Sequence, residues 1–136
     1  LGHIMCMASC EDKGYFGRAV NVQEISAVTA ACMLMKAEDF RSVGGFDEEF
    51  VVAFNDIDLC MKVRAAGKKG CIYTVCRALS LRIQVKGNED TPEKQFRFEK
   101  ETKHFEEKWG DEMAKGDPYY NPNLSLKEAD CSLRED

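Results

Sequence analysis

The order of apolar and polar positions divides the chain into short elements separated by turn residues. Residues 1–23 show weak periodicity, and Gly14 and Gly17 around Tyr15 and Phe16 predict a loop. From Ile25 to Met35 the chain reads ISAVTAACMLM, an apolar run with Val and Thr that predicts a buried strand. Lys36–Val43 predicts a short helix with Gly44 as its C-terminal cap. Asn55 opens a second helix as N-cap, and Asp58 is placed to reach back in the manner of a capping box. Ile57, Leu59, Cys60, Val63 and Ala66 supply its apolar face, Lys62 and Arg64 are solvated, and Gly67 ends it. Cys71–Cys76 predicts a strand and Ala78–Val85 a second one.

Thr91-Pro92-Glu93 is a helix start: a hydroxyl cap, proline in the first turn and an early acid. The helix is expected to run to Trp109, with Phe98, Thr102, Phe105 and Trp109 in one stripe. That stripe reads as core packing rather than a ligand box. Glu93–Arg97 and Glu99–Lys103 are i,i+4 pairs of the favourable order. His104 is expected on the solvent side, without a role. Asp117–Asn123 is turn-rich and Lys127–Asp136 reads as a frayed tail. The order strand, helix, loop, helix, strand, strand, helix is α/β, or a piece of an α/β arrangement.

Composition narrows the class. A chain of 136 residues is one domain by length, and 44% hydrophobic with 32% charged residues is the balance of a soluble globular protein. The net charge of −5 gives no electrostatic case for nucleic acid as a partner. No apolar run is long enough for a transmembrane segment. Leu1–Met5 is too short and uncharged for a signal peptide, and residues 1–13 read as a ragged or artificial leader. Seven cysteines, an odd number without a CxxC pair, argue against a disulfide framework and for reduced, mostly buried thiols in a cytosolic compartment. No metal site is assigned.

The candidate chemistry lies between Val43 and Cys60. A glycine pair, Gly44-Gly45, is followed by the acidic, aromatic loop Phe46-Asp47-Glu48-Glu49-Phe50, and then by Asn55-Asp56-Ile57-Asp58 at a helix start. A carboxylate at the mouth of a loop is what a reaction needing a general base requires. The plainer account is that Asp56 caps the helix, with Asn55 or Asp58 sharing that task.

Six strings, in order, carry a resemblance: Gly14–Arg18, Val28–Met33, Val43–Glu48, Phe54–Cys60, Glu89–Gln95 and Asp117–Leu126. Together they resemble the C-terminal part of a family-2 glycosyltransferase of the bacterial kind that assembles surface polysaccharides. The resemblance covers residues 14–126, with 127–136 as a tail. It implies a partial GT-A fold, the C-terminal half, with mixed strands and three helices. It implies inverting transfer from a nucleotide-sugar donor to a glycan acceptor. Asp56 maps onto the catalytic base, and Gly44, Gly45, Phe46, Asp47 and Asn55 map onto the acceptor-binding side. Asp58 reads as a structural acid of the first turn.

Two departures accompany the resemblance. No nucleotide-binding βαβ half and no Asp-x-Asp metal motif after a strand precede Tyr15. Where the family carries paired histidines, one of which helps hold the metal, this chain has Ser80 and Leu81. Lys86, close by, could meet a phosphate but reads more simply as solvated. A divalent cation, Mg or Mn, is therefore expected for the intact enzyme and none on this chain, which is expected to be inactive alone. Exposed apolar surface along Ile25–Met35 is expected to cause self-association into a dimer or higher oligomer. The expected location is cytoplasmic, membrane-peripheral at most through a longer protein. Two other readings stay open: a non-catalytic binding or interaction module derived from the same scaffold, and a small unrelated α/β domain.

Overall fold

The structure, a computed structural model, describes residues 13–72, 91–125 and 131–134. Among these residues it is mixed α/β: three helices and a two-stranded antiparallel sheet. The strands are β1, Gln23–Ile25, and β2, Gly70–Ile72; the helices are α1, Ala37–Ser42, α2, Asn55–Ala65, and α3, Pro92–Ala114. Gln23 pairs with Ile72, Glu24 with Cys71 and Ile25 with Gly70. Lys69 adds a cross-strand ion pair to Glu24 at 2.7 Å. The predicted strand Ala78–Val85 lies outside the described residues, as do Ser80, Leu81 and Lys86.

The apolar run Ile25–Met35 is not a buried strand. Its extended pairing stops at Ile25, Ala30–Cys32 forms a 3₁₀ turn, and Leu34 is 99% exposed. The Thr29 hydroxyl accepts the amide of Ala31, and Asp56 accepts that of Ala30. Side-chain acceptors thus take the donors that a sheet ladder would need.

Both shorter helices end as their glycines predict. At α1, Gly44 N–H donates to Arg41 O (3.1 Å) and Gly45 N–H to Phe40 O (2.9 Å). At α2, Gly67 N–H donates to Arg64 O (2.8 Å) and Lys68 N–H to Val63 O (3.1 Å). Each is a Schellman closure, and the positive φ of Gly44 (80°) and Gly67 (76°) is what it demands.

The start of α2 differs from expectation. Asn55 is its first helical residue, and the cap is Phe54, left-handed at φ 64°. Such a backbone is disfavoured for a residue with a Cβ, so packing must hold it. The Phe54 ring stacks on Phe105 (4.9 Å between centroids) and Phe98 (5.7 Å) of α3. Asp58 forms no capping box; it turns inward and is fully buried.

Helix α3 runs past Trp109 to Ala114, because Gly110 keeps the helical backbone and Gly116 (φ 80°) comes only after the end. Of its stripe, Phe105 is buried with Phe50, Leu59, Leu124 and Cys131, the buried apolar side chains among the described residues. Arg97 lies 3.8 Å from Glu101 and Lys103 3.9 Å from Glu107, in place of the Glu93–Arg97 and Glu99–Lys103 pairing. The tail is tied down at 131–134, where Leu124 bridges Leu133 and Ser125 N–H donates to Ser132 O at 2.8 Å. Among the described residues the thiols are not mostly buried: Cys131 is buried and Cys60 half-buried, but Cys32 and Cys71 are exposed.

Candidate functional site

Asp56 stands in the first turn of α2, half-buried, with both carboxylate oxygens engaged by backbone donors. Ala30 N–H donates to Oδ2 at 3.0 Å and Ile57 N–H to Oδ1 at 2.9 Å. Asn55 Oδ1 accepts the amide of Asp56 at 2.7 Å, which fixes the peptide that carries the carboxylate. Each carboxylate oxygen has two lone pairs, so one acceptor position on each remains. Behind this turn, the Cys60 thiol donates to Val28 O at 3.8 Å, and burial raises its pKa above the ordinary thiol value. The segment 28–30 is thus held to α2 at two points.

The other residues mapped to the acceptor side lie in the loop between α1 and α2. Gly44 and Gly45 carry the helix closure, and a Cβ on Gly45 would stand 3.1 Å from the Phe40 ring. Phe46 stays half exposed and meets Phe40 edge-on at 5.4 Å. Asp47 Oδ1 accepts the amide of Glu49 at 3.1 Å, and its Oδ2 takes Lys108 Nζ at 2.6 Å. The Lys108 ammonium is the main reason, followed by the Glu49 amide, that the Asp47 carboxyl is lowered to about 2.

Sequence reasoning missed a cluster of charges beside these residues. Asp58 Oδ1 receives Trp109 Nε1 at 2.8 Å and lies 2.7 Å from Lys108 Nζ. Lys62 Nζ sits 2.9 Å from Oδ2 and donates its hydrogen bond to Gly45 O at 3.1 Å. Burial by itself would raise the Asp58 carboxyl; the donors Lys108, Trp109 and Lys62 outweigh it, and the net shift is downward. A second buried carboxylate, Glu101 on α3, accepts the amides of Ala53 (2.6 Å) and Val52 (3.4 Å) and so orders the turn before Phe54. His104 is only partly on the solvent side: 35% of its side chain is exposed, but its ring lies 4.8 Å from that of Phe50, with Nε2 buried and 3.6 Å from Asp47. The i,i+4 spacing of Asp58 and Lys62 was visible in the sequence. The reach of Lys108 and Glu101 across about fifty residues was not.

Among the described residues no group of three or more His, Cys, Asp or Glu side chains is placed to hold a metal ion. None of their helices is long and apolar enough to cross a membrane. A shallow, solvent-open depression lies on the α3 side, lined by Glu49, Lys100, Lys103, His104 and Glu107, and Asp56 takes no part in it.

No protein-family model and no solved structure matches the chain. It is 44% identical over 133 residues to an uncharacterized protein, y4gI, of Sinorhizobium fredii, a match covering 97% of this chain and 14% of that protein. It is 32% identical over 126 residues to the O-antigen biosynthesis protein RfbC of Myxococcus xanthus, covering 88% of this chain and 9% of that protein. The chain therefore spans only 9–14% of the curated relatives it matches, and it is similar to one short stretch of each.

Proposed function

We propose that this chain is the acceptor-side part of an inverting glycosyltransferase of the GT-A type, acting in surface-polysaccharide assembly, with Asp56 as its general base. The observation that carries the reading is the placement of Asp56. Its carboxylate is half-buried at the head of α2, oriented by the Ala30 and Ile57 amides, with one acceptor position free on each oxygen. The similarity to an O-antigen biosynthesis protein supports the polysaccharide side.

In the reaction the acceptor hydroxyl passes its proton to Asp56 as its oxygen bonds to the anomeric carbon. The bond from that carbon to the nucleoside diphosphate breaks in the same displacement. A divalent cation, when bound on the donor side, offsets charge on the leaving diphosphate. The residues of this chain orient the acceptor and hold the base.

The test is sugar transfer by the full natural polypeptide that contains this segment, assayed with a panel of nucleotide-sugars. Asp56→Asn keeps the shape but cannot take the proton, so turnover should fall by about 10²–10⁴-fold. Unchanged turnover would remove Asp56 as the base. One observation favours the alternative of a non-catalytic module: the hydrogen bond to Ala30 gives Asp56 a structural task that needs no chemistry. On that reading the full polypeptide binds glycan, and Asp56→Asn changes stability alone.

A further inference from the structure

We propose that Lys108 is a positioning residue for the acceptor: it sets the loop that carries Asp47 against the helical turn that carries Asp56. This rests on the function proposed above.

The two halves of the candidate site have no reason of their own to keep a fixed separation. The loop from Phe46 to Phe50 follows a glycine pair, and α2 begins only after the bend at residues 51–54. Their relation is fixed through Asp58. One ammonium, Lys108 on α3, bridges Asp47 Oδ2 at 2.6 Å and Asp58 Oδ1 at 2.7 Å. The other, Lys62 on α2, pairs with Asp58 Oδ2 at 2.9 Å and donates to Gly45 O at 3.1 Å. The loop is therefore held at Gly45 and at Asp47, and both ties converge on a carboxylate with no exposed surface. Trp109 Nε1, on the residue after Lys108, fixes that carboxylate from α3 at 2.8 Å.

Asp58 follows Asp56 by two residues, and residues so spaced on a helix do not share a face. Asp58 is thus rigidly joined to the base without competing with it for a substrate. Two carboxylates, Asp47 and Asp58, are matched by two ammoniums, so the cluster adds no net charge to the site. A buried ionic cluster of this kind adds little stability over an apolar one of the same volume, but it admits one geometry. That geometry is the distance between loop and base.

The experiment uses the same full polypeptide, with Lys108→Gln, Lys108→Arg and Asp47→Asn. Lys108→Gln should raise KM for the acceptor by about tenfold or more while KM for the nucleotide-sugar stays within about twofold. Lys108→Arg should recover most of that loss, since a guanidinium can also reach two carboxylates. Asp47→Asn should reproduce the acceptor effect and add little to Lys108→Gln, because both break one bridge. Asp47→Asn keeps the size and shape of the side chain, so it tests the same bridge if Lys108→Gln does not fold. Amide exchange over residues 46–50 should quicken in both variants and stay unchanged over 37–42. A purely structural role would lower kcat through a smaller active fraction with both KM values unchanged, and that result would overturn the inference. So would full additivity of the two substitutions. If Asp56→Asn leaves turnover intact, the base assignment fails. If Asp56→Asn abolishes turnover and Lys108→Gln spares the acceptor KM, the positioning role alone fails.

Discussion

Asp58 holds a charge with none of its side chain exposed, so its three donors decide its energetics. Removing the carboxylate would leave Lys108 with Asp47 alone, Lys62 with Gly45 O alone and the Trp109 N–H without its acceptor. Asp58→Ala should destabilise the fold by roughly 3–5 kcal/mol, the usual cost of breaking a buried pair from one side, read as a lower urea midpoint. Asp47, nearer the surface, makes the pH dependence. Its folded pKa of about 2 lies below its ordinary value of 3.8. A depressed carboxylate contributes stability that is complete above the unfolded pKa and is lost as pH falls through the folded one. The downward shift of Asp58 has the same sign. The urea midpoint should therefore decline as pH drops from about 4 to about 2, and less steeply in Asp47→Asn.

The elements were legible where a local signal decides them. Gly44 and Gly67 end their helices because a Schellman closure needs a left-handed residue, and glycine supplies it without strain. The start of α3 at Pro92 was equally plain, although the Thr91 hydroxyl makes no capping hydrogen bond. Signals failed where distant partners override local ones. Asn55 is a good cap by type, yet α2 starts from Phe54, whose strained backbone is held by rings on α3 some fifty residues away. Ile25–Met35 is apolar enough for a strand, but Asp56 and Thr29 take its donors. At the candidate site, the glycines, Asp47 and Asp56 could be picked from spacing and resemblance, whereas Lys108 and Glu101 act through tertiary contacts that spacing does not encode. The glycine pair allows a direct comparison. Gly44→Ala meets open space and should cost about 1 kcal/mol from its positive φ. Gly45→Ala has a positive φ as well and would press the Phe40 ring, so its melting temperature should fall further.

For the whole molecule the question is what covers its apolar surface. The buried apolar side chains among the described residues are few, while Leu34, Phe16, Phe96 and Val51 stand open to solvent. The 136-residue chain by itself should therefore self-associate through this surface. Sedimentation over a concentration series should show dimers or larger species, and a monomer at every concentration would refute the expectation. The contact between the Cys60 thiol and Val28 O has a practical use at this scale. While residues 28–30 sit on α2, the thiol is shielded and its raised pKa keeps it slow to alkylate, whereas Cys32 and Cys71 lie open to reagent. The order in which these cysteines are labelled thus acts as a clock: any event that lifts the segment from Asp56, an incoming acceptor included, registers as a faster adduct on Cys60, with no probe introduced.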